Sequence, residues 1–133
     1  MNTGNRIFHI VAFAVLAAVI GYLQFISIER DLYWTIWWMD VLLHFLAGIF
    51  IAYAVLLVNF SIYGWRGIER GDLKKMFWTI LLVGIGWEIF EYVNKIIDPE
   101  NYWTDTFIDI AMDFLGALSV YVFMSVMGKT ARI

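Results

Sequence analysis

The chain has 133 residues, of which 62% are hydrophobic and only 16% charged, with a mean hydropathy of +0.76. A soluble domain is nearer half apolar and a quarter charged, so this is the composition of a membrane protein, and no soluble domain fits beside the spans. The absence of cysteine excludes disulfides, iron–sulfur clusters and thiol nucleophiles, and nine basic against twelve acidic residues give no reason to expect a nucleic-acid partner.

The first apolar stretch covers residues 7–28 and contains no Asp, Glu, Lys or Arg. It is longer than the hydrophobic part of a signal peptide, and no Ala-x-Ala site follows it. Residues 29–39 read Glu-Arg-Asp-Leu-Tyr-Trp-Thr-Ile-Trp-Trp-Met, charges followed by aromatics, which suits an interfacial turn or short helix. The second stretch covers 40–62. Residues 63–75 hold Arg66, Arg70, Lys74 and Lys75 with Gly64, Gly67 and Gly71 and read as a polar loop. The third stretch covers 76–97, Asp98-Pro99-Glu100-Asn101 reads as a tight turn, and the fourth covers 105–127. Each stretch can cross about 30 Å of hydrocarbon, where the backbone must satisfy its own hydrogen bonds. None alternates as a barrel strand would. The expected fold is all-α: a polytopic membrane protein, one domain over 1–133, with four transmembrane helices in a bundle.

Seven of the nine basic residues (Arg6, Arg66, Arg70, Lys74, Lys75, Lys129, Arg132) fall on one side, leaving Arg30 and Lys95 on the other. The positive-inside rule then places both termini in the cytoplasm; the expected location is a bacterial or archaeal cytoplasmic membrane. Of the acidic residues, Glu69 and Asp72 fall inside and the rest at or toward the outside.

The spans nevertheless contain ionisable groups. Asp40 and His44 are one turn apart on the second span, Glu88 and Glu91 three residues apart on the third, and Asp105, Asp109 and Asp113 follow four-residue steps on the fourth. Each set therefore shares one helix face. At about 1.5 Å per residue, His44 and Asp109 lie roughly 6 Å below the outer ends, Glu91 roughly 9 Å, and Asp113 and Glu88 roughly 12–13 Å. Three helices thus carry ionisable groups at one depth. The same faces carry small residues that permit close approach: Ala47, Gly48 and Ala52 on the second span, Gly84 on the third, Gly116 and Ala117 on the fourth. The first span shows Ala14, Ala17, Ala18 and Gly21, with Gln24 as its contribution to the polar site. These stripes are expected to be the inner faces of the bundle, with its inner half dry and apolar.

Clustered carboxylates repel one another and need protons, a basic partner or a cation to offset them. His44, Glu88, Glu91, Asp109 and Asp113 form a ligand set suited to a divalent metal ion such as magnesium, manganese, zinc or iron. Glu88-x-x-Glu91 lacks the histidine of the ferritin-like di-iron pattern. Asp40 and Asp105 are equally well read as residues that open their helices and bind backbone N–H groups. Lys95 and Asn94 read as rim residues, His9 as interfacial, Trp34, Trp37, Trp38 and Trp103 as an aromatic belt, and Met112, Met124 and Met127 as ordinary span residues.

Asp40-x-x-x-His44-Phe45, an acidic residue in the next span, and Asp109-x-x-x-Asp113-x-x-Gly116 together resemble the VanZ-like membrane proteins and the related YjdF-type family over about residues 40–120. This chain has Val41 where those proteins usually have lysine, and its Trp87-Glu88-x-x-Glu91-Tyr92 is closer to the YjdF-type branch. The resemblance implies a small polytopic membrane protein of the cell envelope. VanZ-like proteins are linked to glycopeptide resistance, with no settled reaction for the wider group.

Three readings follow. In the first, the protein is a membrane-embedded enzyme acting on a lipid-linked or envelope substrate. His44, Glu88, Asp109 and Asp113 are then the catalytic candidates, either as metal ligands or with His44 as a general acid/base. In the second, a buried carboxylate couples protons or cations to a small transporter. In the third, the polar network only fixes helix register. The lipid bilayer is a partner in all three; a homodimer would help to seal the site, although no motif specifies one.

Overall fold

The computed structural model describes residues 3–64, 68–94 and 101–130, with side chains described except at 3–6, 63 and 127–130. Lys95, Arg66, Gly67, Arg132 and residues 98–100 of the expected turn lie outside the described residues, as do the side chains of Arg6, Met127 and Lys129. The elements are α1 (Thr3–Glu29), α2 (Leu32–Thr35), α3 (Met39–Tyr63), α4 (Arg70–Asn94) and α5 (Tyr102–Thr130). Four segments are long and apolar enough to cross a membrane: Ile7–Glu29, Met39–Ile62, Arg70–Asn94 and Tyr102–Val126. The chain is an all-helical integral membrane protein with a four-helix bundle. Many of its large apolar side chains face outward, among them Phe107 at 75% and Val93 at 69% exposure, as expected where lipid is the solvent.

The short α2 occupies the expected interfacial segment. Asp31 precedes it with φ 51°, a left-handed conformation that Asp tolerates better than most residues. At the other end of α3, Gly64 at φ 78° stops the helix where a side chain would be strained.

The expected loop 63–75 is shorter than its charges suggested, because α4 already begins at Arg70. Glu69 caps it: the N–H groups of Asp72 and Leu73 reach the Glu69 carbonyl. The Asp72 carboxylate accepts the Glu69 N–H in return at 2.9 Å, half of a capping box. The four-residue series Asp72, Met76, Ile80, Gly84, Glu88, completed by Glu91, is the buried face of α4.

Asp72 also corrects the expectation of a dry inner half. It is fully buried and accepts a hydrogen bond from Asn59 Nδ2 at 3.0 Å, while Lys75 Nζ donates to Asn59 Oδ1 at 2.8 Å. This ties the start of α4 to the end of α3. His9, expected at the interface, is half-buried and pairs through Nδ1 with the Tyr53 hydroxyl at 2.5 Å. Replacing Asn59 by Ala removes both of its bonds next to a buried carboxylate and is expected to cost about 1–3 kcal/mol. Thermal unfolding in detergent checks this, and an unchanged midpoint would show that the tie contributes nothing.

Between the two polar ends lies an apolar plug of Ala52, Leu56, Phe60, Met76, Ile80, Ala117, Val120 and Met124. The helices α3, α4 and α5 surround it, and α3 and α5 run parallel in the closest contact of the bundle. A Cβ on Gly48 would strike the backbone carbonyl of Asp113, and one on Gly116 the carbonyl of Phe45. Two bare positions therefore let the backbones touch.

The first helix stands apart from this core. It packs on α3 and α2, and among the described residues no Cα of α1 comes within 8 Å of α4 or α5. Its small-residue stripe is therefore not an inner face as expected: Ala14, Ala18 and Gly21 are exposed, and Ala17 is only half-buried. An aromatic seam replaces it, with Phe13 stacked on Phe50 at 4.5 Å and edge-on to Tyr53.

Candidate functional site

The Gly48–Asp113 and Gly116–Phe45 contacts fix α3 and α5 in register one turn below His44. As a result His44 Nδ1 lies 3.5 Å from Asp113 Oδ1, while Nε2 lies 3.7 Å from Asp40 Oδ1 on its own helix. Gly84 brings α4 in from the third side: a Cβ there would lie 2.9 Å from Asp113 Oδ2. One turn beyond Gly84, Glu88 enters the same space and Glu91 follows.

The cluster is almost wholly withdrawn from solvent. His44 is 5% exposed, and Glu88, Glu91, Asp109 and Asp113 are each 2% or less. Three overlapping groups bring one ligand atom per residue within 4.8 Å of one another: Asp40, His44 and Glu91; His44, Glu88 and Asp109; and Asp40, Asp105 and Asp109. These groups can hold a metal ion. Asp113 belongs to none of them; its Oδ1 lies against His44 Nδ1. A carboxylate behind a metal-binding imidazole fixes its orientation and tautomer. Asp40 and Asp105, equally well read as helix openers, both join the cluster, and α3 begins without a side-chain cap.

Among the described residues, buried atoms without a hydrogen-bond partner are concentrated here: His44 Nδ1, Glu88 Oε1, Glu91 Oε2, both oxygens of Asp109 and Asp113 Oδ1, with Ser27 Oγ on α1 the remaining case. Each such atom costs about 1–3 kcal/mol if left unpaired. Among the described residues, no Lys or Arg forms an ion pair with the cluster. A divalent cation would meet the carboxylates' charge and their empty lone pairs at once.

Two hydroxyls join the site without a signal in hydropathy. Thr106 Oγ1 donates to Glu88 Oε2 at 2.5 Å. Its position three residues before Asp109, on the polar face of α5, was the available clue. Tyr33 on α2 donates to Gln24 Oε1 at 2.7 Å, and both line the cavity that reaches Asp40, His44 and Asp113. Burial and the nearby Asp40 carboxylate push the Tyr33 hydroxyl up to about 12, so it stays protonated and remains a donor. Asn94 is exposed as expected of a rim residue, and Trp34, Trp37, Trp38 and Trp103 are 46–84% exposed around the cluster's end of the bundle, where an aromatic belt belongs.

The site opens sideways. A cavity of about 300 Å³ runs from Asp40, His44 and Asp113 past Leu43, Ala47 and Ile51 to Ile20 and Gly21 on α1 and Val83 and Trp87 on α4.

Fold and site together define an integral-membrane helical bundle with a buried histidine–carboxylate centre near one end. No family model, curated protein or solved structure matches the chain.

Proposed function

We propose that the protein is a cation-dependent, membrane-embedded enzyme of the VanZ-like kind, acting on a lipid-linked or envelope substrate. The observation that supports it is the set of buried, unpartnered histidine and carboxylate atoms converging from three helices. In this reading His44, Glu88 and Asp109 hold the cation. Asp40 and Glu91 share His44 in an adjoining group, and Asp113 orients the imidazole. A bound divalent ion supplies Lewis-acid polarisation and a more acidic water. Glu91, in the adjoining group, would be a carboxylate free to accept a proton. Thr106 holds Glu88 in place.

The basic residues place the opposite end of the bundle in the cytoplasm, so the centre faces outward in the membrane of a bacterium or archaeon. The apolar plug beneath the cluster favours an enzyme over a carrier, which needs a polar path across the midplane.

Metal analysis of the purified protein tests the reading. The wild type is expected to retain a divalent ion and to unfold at a higher temperature when that ion is added. His44→Ala is expected to lose both properties. A wild type that carries no metal and does not respond to magnesium, manganese, zinc or iron would overturn the proposal.

A further inference from the structure

The cavity beside His44 has an unusual boundary, because two of its walls belong to helices that do not touch. The backbones of α1 and α4 stay apart along their length, and α3 lies behind the gap. Ile20 and Gly21 form one side, Val83 and Trp87 the other, and Ala47 the floor. The gap therefore opens toward the hydrocarbon of the bilayer, while its deep end is made of Asp40, His44 and Asp113. At the mouth nearest the helix ends, the Gln24–Tyr33 hydrogen bond closes it over.

We infer that this cleft admits a bilayer phospholipid sideways, its acyl chain lying between α1 and α4 with the ester linkage against the His44 centre. The inference rests on the reading of that centre as the reactive site and specifies what reaches it. Three observations select the occupant. The walls are apolar and sit at hydrocarbon depth, so a water-soluble substrate has no favourable route through them. The volume of about 300 Å³ is at the floor of the range for ligand cavities, roughly 300–1,000 Å³, which suits the linkage and upper part of one chain, the rest of the chain lying in the bilayer. A partner helix, about 10 Å across, would fill that volume with less than one turn, too little to dock.

Depth agrees with this. His44 lies five residues into α3, roughly 7.5 Å from its start, so an ester group entering from the leaflet needs only a small displacement to meet it. The passage is open at Gly21, where a Cβ would have nothing within 4 Å. Gly84, on the opposite wall, is bare where a side chain would press on Asp113.

The test uses the full chain in nanodiscs of phosphatidylethanolamine and phosphatidylglycerol, with a trace of phospholipid carrying a diazirine in its acyl chain. Cross-links are mapped by mass spectrometry. They are expected at Ile20, Ala47 and Val83 above the level at the open lipid faces of Val15 and Val122. Gly21→Trp places a ring in the cleft where nothing opposes it, and is expected to reduce the cleft cross-links by about tenfold while leaving those at Val15 and Val122 unchanged. Val83→Trp blocks the opposite wall and should do the same. Both variants are expected to keep the divalent-ion shift in thermal unfolding, whereas His44→Ala loses that shift and keeps the cross-links. The failure of the cleft and the failure of the metal centre are therefore separate results. Cleft labelling no stronger than at Val15, or labelling unaffected by either tryptophan, would overturn the inference. So would displacement of the phospholipid by an equal amount of polyprenyl phosphate.

Discussion

Asp109→Asn is expected to leave the protein at least as stable in the presence of a chelator and to abolish the stabilisation that a divalent cation provides. Asp109 is 1% exposed and neither of its oxygens has a hydrogen-bond partner. It also belongs to two of the three groups able to hold an ion. Without an ion, its carboxylate adds repulsion and desolvation to a site that already holds Glu88 and Asp105, so an amide of nearly the same shape relieves strain. With the ion present at a hundred times its dissociation constant, the wild type gains about 2.7 kcal/mol by mass action, and the variant forfeits most of it. Thermal unfolding in detergent, with chelator and then with excess cation, reads both effects. A purely structural network gives the opposite pattern: the amide lowers stability under both conditions, and the cation does nothing to either protein. The sign of the change in chelator is therefore as informative as the lost response.

Gly48→Val is expected to cause the largest loss of stability of any single change in the chain. Its branched side chain would have to occupy the space of the Asp113 carbonyl, and a backbone atom cannot rotate away as a side chain can. Overpacking in a well-filled core costs about 1–3 kcal/mol where side chains can yield, so this position should exceed that range. Separation of α3 from α5 would also pull His44 away from Asp113 and Asp109, and cation binding should fall with stability. Gly86 is the control: a Cβ there meets nothing within 4 Å, so Gly86→Ala should gain a few tenths of a kcal/mol to about 1 kcal/mol from helix propensity alone. Size-exclusion profiles and unfolding midpoints of the two variants check the contrast. Equal behaviour would mean that α3 and α5 do not meet at these glycines.

Hydropathy located all four spans because it depends only on composition within a window, and the bilayer demands the same apolar length wherever a helix crosses. It failed at the start of α4, where Arg70, Lys74 and Lys75 are charged and so looked like loop. They are also good helix formers, and Asp72 turns back to cap the helix through Glu69. Charge reports polarity rather than conformation, so a basic first turn at a membrane surface is easily mistaken for a loop. The same blindness hid the Asn59–Asp72–Lys75 tie, whose members lie on two helices 13 residues or more apart. It hid Thr106 as well, a single hydroxyl whose partner Glu88 lies 18 residues away.

The centre itself was more legible. Asp40 with His44, Glu88 with Glu91, and Asp109 with Asp113 each obey helical spacing, and their distances from the helix ends agree. Period and depth are local quantities, and together they were enough to nominate His44, Glu88, Glu91, Asp109 and Asp113 as neighbours. Their roles were not separable at that stage. Asp113 was one carboxylate among several until its position against Nδ1 set it apart from the groups that share ligand distances.

The amino-acid sequence alone thus determined the class of the protein, the number of spans, and the depth and facing of each ionisable group, because lipid solvation and the 3.6-residue turn act on each helix independently. Only the tertiary structure decided which faces meet. That choice depends on where two backbones can touch, at Gly48 against Asp113 and Gly116 against Phe45, and no helix encodes its partner's surface. It also decided that α1 would pack on α3 and α2 alone, stand apart from α4 and leave a sideways opening to His44. A stripe of alanines and a glycine had suggested close packing. The contact with α3 runs through the aromatic seam beside it instead.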